Sequence, residues 1–65
     1  MYPNLRAEIA RRNMSLEQVA AIIDRTMPST SRKLSGKNDF TLKECKKLSV
    51  VFGLPIEELF EVRNG

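Results

Sequence analysis

Apolar residues recur along this chain at helical spacing, and no segment alternates with the two-residue period of a strand over four or more positions. Tyr2, Leu5 and Ile9 fall on one helical face, and Pro3 is tolerated in a first turn, where its missing N–H has no partner to lose. Asn13 can take the left-handed conformation that closes a helix, so a first helix is predicted over about residues 3–12. Ser15-Leu16-Glu17-Gln18 has the form of a capping box, and Leu16, Val19, Ala20 and Ile23 follow at i, i+3, i+4 and i+7. This predicts a second helix over about 15–23. Thr26 can cap a third, with Pro28 in its first turn, Met27, Thr30 and Leu34 as its inward stripe, and Ser35-Gly36 as its stop, over about 27–35. Thr41-Leu42-Lys43-Glu44 is a second capping box, and Leu42, Cys45, Leu48 and Phe52 form an inward face that Gly53 ends, over about 42–52. Pro55 opens a last helix over about 55–61, with Ile56, Leu59 and Phe60 inward. The pattern therefore predicts an all-α chain of five short helices forming a single domain over residues 1–65, without linker or repeat.

A chain of 65 residues supports one small core, because at this size only about 60% of the unfolded surface is hidden on folding. A deep catalytic cleft is not expected. With no histidine and one cysteine, neither a thiolate metal cluster nor an internal disulfide can be assembled within one chain, and no glycine-rich phosphate loop is present. The expectation is a protein that is not an enzyme and needs no cofactor. The longest uninterrupted apolar run, residues 19–23, is far short of the roughly 20 residues that span a bilayer, and the N-terminus lacks the pattern of a signal peptide. A cytoplasmic protein is expected, in keeping with the single thiol.

Charge changes the picture because it is uneven. Between residues 25 and 47, seven cations face only Asp39 and Glu44, a net +5, whereas residues 1–24 balance and residues 48–65 sum to −2. A localised basic patch on a small domain suits a polyanion, nucleic acid first, although a solvated lysine-rich face fits charge alone equally well. Spacing adds the geometry: two helices joined by a short turn, the second short and basic, form a unit whose second helix can enter the major groove. If Met27, Thr30 and Leu34 face inward, the opposite side centres near Arg32 and includes Pro28 and Ser29, with Lys33 on its flank. Arg32 can bond guanine in bidentate fashion, Ser29 can donate or accept, and the Pro28 ring can touch a thymine methyl. Pro28, Ser29, Arg32 and Lys33 are the candidate base readers.

Lys37 and Asn38 follow in a loop suited to phosphate oxygens, and the helix end around Ser15 and Glu17 offers a second phosphate site that the Glu17 charge weakens. Singly, each of these residues is more ordinarily a solvated side chain or a cap; their clustering on one face carries the reading. Cys45, Met14 and Met27 read as core filler, and Glu57, Glu58 and Glu61 as a solvated acidic face.

From Met14 to Phe60, and above all in "SLEQVA", "SRKLSGKNDFTLKE" and "FGLPIEELF", the chain resembles the lambda-repressor-like helix-turn-helix domains of phage Cro and CI-type regulators, the Xre family. Its opening, "MYPNLRAEIA", is similar to the start of small phage-associated members. The resemblance implies a five-helix fold, a double-stranded DNA operator as partner, the third helix in the major groove, and a homodimer on two half-sites, formed in solution or only on DNA. By position it places the recognition helix on Thr26 to Leu34 and the backbone-binding loop on Gly36 to Asn38. The chain departs from the family at Leu16, where a phosphate-contacting Gln is frequent. It departs also at Asp24, Arg25 and Thr30, where Gly, an aliphatic and a large apolar residue are usual, which thins the expected core around the turn.

The function so implied is a sequence-specific transcriptional regulator, a phage or prophage repressor, its dimer contact formed by the last helix and tail around Phe60 and Val62. The alternative is a protein-interaction module on the same fold, antitoxin-like or anti-repressor, using apolar surface at Leu16, Ile22 and Leu59-Phe60.

Overall fold

The computed structural model describes residues 1–62, so the last three residues of the expected domain lie outside the described residues. Five helices follow in order: α1 (Pro3–Arg11), α2 (Leu16–Ile23), α3 (Met27–Leu34), α4 (Leu42–Phe52) and α5 (Ile56–Leu59). Among the described residues there is no strand.

Local chemistry sets both ends of most helices. In the first capping box, Ser15 Oγ accepts from the Gln18 amide at 3.1 Å while the Ser15 amide donates to Gln18 Oε1 at 2.8 Å. Thr41 and Glu44 repeat the exchange at 3.2 and 3.0 Å. Thr26 Oγ1 caps α3 by accepting from the Ser29 amide at 3.3 Å. Four helices then end in one way, on a residue of positive φ: Asn13 (54°), Asp24 (58°), Gly36 (85°) and Gly53 (68°). After each, the next amide reaches back five residues to a helix carbonyl, Met14 to Ile9, Arg25 to Ala20, Lys37 to Arg32 and Leu54 to Ser49. Such closures satisfy carbonyls that a helix end leaves without partners. Asp24 takes the place that glycine usually fills because a short polar side chain tolerates the left-handed region.

Tyr2 also has positive φ, 55°, a conformation that costs a bulky residue on the order of 1 kcal/mol. Its ring is seated edge-on against Phe40 and Phe60, with centroids 5.6 and 5.7 Å away, and aromatic packing of this kind offsets the cost.

The core consists of Leu5 from α1, Val19 and Ile23 from α2, Leu48 and Phe52 from α4, and Leu59 from α5. Helix α3 adds no large fully buried hydrophobe; its buried residues are Thr30 and Lys33. Two residues expected inward are exposed, Met27 at 44% and Leu42 at 64%. Each is the first residue of its helix, and because helical side chains lean toward the N-terminus, such a residue projects beyond the helix body rather than onto its inner face. Leu59 is fully buried and offers no surface at that end, whereas Phe60 packs half-buried against the core and Val62 beyond it is exposed.

Candidate nucleic-acid interface

Helix α3 is held at its start by Thr26 and at its end by Arg6, which reaches across from α1. Arg6 Nη2 donates to the Leu34 carbonyl at 3.0 Å and its Nε to the Met1 carbonyl at 3.1 Å. A cation on the last carbonyls of a helix satisfies them and complements the dipole. Between these supports Pro28, Ser31, Arg32 and Ser35 are exposed and Ser29 is half-buried, its amide engaged by the cap. Arg32 makes no ion pair among the described residues.

Sequence spacing selects the wrong flank of this face. Lys33, expected outward beside Arg32, is only 7% exposed. Its Nζ donates to Glu44 Oε1 at 2.6 Å and to the Asp39 carbonyl at 3.3 Å, and lies 5.9 Å from the Phe40 ring centre. The ammonium turns inward because a buried carboxylate meets it there, so Lys33 is withdrawn from the exposed face of α3. On the opposite flank, Ser31 and Ser35 complete the exposed face instead.

The partner, Glu44, is 3% exposed. Besides Lys33 and the Thr41 amide it accepts from Arg25 Nε at 2.7 Å, the residue that leaves the α2–α3 turn. Burial acts to raise the Glu44 carboxyl, but hydrogen bonds from Lys33, Arg25 and Thr41 outweigh it and hold the group down to about 2. This cluster fills the space around the turn where Arg25 and Thr30 left the apolar core thin. Thr30 itself is fully buried, with its hydroxyl donating to the Thr26 carbonyl at 2.9 Å. Beside the cluster, burial and then the Glu44 charge push the Cys45 thiol up, which makes it a poorer nucleophile.

The loop after α3 hangs from Arg32 itself. Its carbonyl accepts from the Lys37 amide at 2.9 Å, the Asn38 amide at 3.3 Å and Ser35 Oγ at 3.2 Å. A side chain at Gly36 would be strained by φ and would also meet the sulfur of Met1. Lys37 and Asn38 are exposed and stand at a fixed displacement from the Arg32 side chain.

At the start of α2 the arrangement is narrower than expected. Both groups that Ser15 could offer a phosphate, its amide and its hydroxyl, are engaged with Gln18. What remains there is the first pair of helical amides, at Leu16 and Glu17, with the exposed Glu17 carboxylate beside them.

A loop that presents Lys37 and Asn38 and is tied to the exposed face of a short helix, itself the second of a helix-turn-helix pair, is the geometry of a DNA-binding head. No curated protein and no solved structure gives a match to the chain. A family profile, that of the Cro/C1-type HTH DNA-binding domain, matches residues 4–64. The chain belongs to the Cro/C1-type helix-turn-helix DNA-binding domain family.

Proposed function

We propose that this protein is a sequence-specific transcriptional regulator that lays α3 in the major groove of an operator and represses by occupying it, as a phage or prophage repressor does in the cytoplasm. One observation carries the reading: the exposed face around Arg32 and the Lys37-Asn38 loop are locked together through the Arg32 carbonyl. Arg32 reads guanine, Pro28 and Ser29 contact neighbouring base edges, and Ser31 supplements them. Lys37 and Asn38 meet phosphate and set register, with the Leu16 and Glu17 amides as a weaker second contact. Two copies bind the two half-sites of an operator, through the α5 end near Phe60 and Val62.

Selection from randomised duplexes, followed by affinity measurement at several salt concentrations, tests this. Affinity should fall steeply as salt rises, because each neutralised phosphate releases counterions. Arg32→Ala should cost about 1–3 kcal/mol and flatten sequence preference, while Lys37→Ala should weaken all sequences alike and reduce the salt slope by about 1. Binding that ignores salt, or an Arg32→Ala protein with unchanged preference, would remove the reading.

A further inference from the structure

Helix α4 has a second face that neither the core nor the DNA-reading elements use. Lys43, Lys46, Lys47, Val50 and Val51 follow one another at helical spacing along it, and with Ile22 of α2 they line an open groove of about 520 Å³. Val50 is 82% exposed and Val51 is exposed beside it. Valine is a poor choice for a solvated helix position, since its branched side chain loses rotamer freedom there and gains no burial. An aliphatic floor with a cationic rim suits an apolar ligand that carries negative charge.

Two occupants fit badly. Phosphate oxygens gain nothing from three aliphatic side chains, so a DNA backbone accounts for the lysines but not the floor. A second copy docked face to face would bring the same three lysines and no carboxylate, leaving the doubled cations uncompensated. We propose that the groove receives an acidic amphipathic helix of a protein partner, its apolar residues on Ile22, Val50 and Val51 and its carboxylates against Lys43, Lys46 and Lys47. From Lys43 to Val51 the stripe is about 12 Å long, enough for roughly two turns of such a helix. The groove shares no residue with α3 or with the Lys37-Asn38 loop, so this contact is separate from operator reading.

The test uses the full chain with methyl and amide NMR, and a synthetic helix bearing leucines at i, i+3 and i+7 flanked by glutamates as the probe. The expected result is selective shifting of the Ile22, Val50 and Val51 methyls, with affinity that weakens as salt rises. Val50→Gln with Val51→Gln, which adds no charge, should weaken the peptide about tenfold or more and leave duplex affinity essentially unchanged. Three results would each overturn the proposal. In one, the peptide leaves those methyls unmoved. In another, the combined Lys43→Ala, Lys46→Ala and Lys47→Ala protein loses duplex affinity and salt slope while the valine variant still binds peptide, which assigns the stripe to DNA. In the third, sedimentation shows a dimer that the valine variant dissolves, which assigns the face to a second copy.

Discussion

The chain contains the same local device twice, and the two copies have different reach. In the box that opens α2, Ser15 and Gln18 exchange two hydrogen bonds, and both residues are exposed. In the box that opens α4, Thr41 and Glu44 make the same exchange, but the Glu44 carboxylate is buried and also binds Lys33 and Arg25. One box organises a single helix end. The other joins the turn, α3 and α4, so a cap has become the tertiary anchor of a helix that places no large apolar side chain fully in the core. The difference lies in what faces the last residue of the box, not in the box.

Swapping the last residues of the boxes should separate the two most sharply. Glu44→Gln keeps an acceptor for the Thr41 amide but leaves the Lys33 ammonium buried without its counter-charge, and should cost about 3 kcal/mol in urea unfolding; a loss no larger than that of an ordinary cap would erase the contrast. The next effect is acid sensitivity. A carboxyl held at about 2 in the folded chain, below its ordinary value of 4.5, contributes stability that is present above the ordinary value and lost as pH falls toward the folded one. That contribution is on the order of 3 kcal/mol. The stability gap between the natural chain and Glu44→Gln should therefore shrink between about pH 5 and pH 2. Ser15→Ala removes only the exposed cap and should cost about 1 kcal/mol, independent of pH in that range. Gln18→Glu is the smallest change, within about 0.5 kcal/mol and reduced by salt, because the added charge meets only a helix dipole.

What could be read from the sequence was what the chain decides locally. Asn13, Gly36 and Gly53 mark closures because few residues accept positive φ, and both boxes declare themselves in four consecutive letters. Lys33 and Glu44 escaped because a hydropathy period assigns every charge to the outside. A signal was nevertheless present: Lys33 lies three residues after Thr30 on the inward stripe, and Glu44 four before Leu48, so opposite charges stood on two faces that had to meet. Exposure of Pro28 and Arg32 follows from the period alone, whereas the choice between the Lys33 and Ser31 flanks depended on α4. No local signal pointed to Arg6, whose partner Leu34 is 28 positions away. The lysine and valine stripe of α4 was visible as spacing, but its openness to solvent appears only once α2 is packed beside it.

The three rings of Tyr2, Phe40 and Phe60 lean edge-on against one another. They belong to the beginning of the chain, the exit of the loop after α3, and the turn that follows α5. Because each ring rests on the other two, these segments must part together, and amide exchange along them should report one opening event rather than separate fraying. A duplex gripping Lys37 and Asn38 would then slow exchange beside Tyr2 and Phe60, so that the ends of the chain keep time with a loop far from them in sequence.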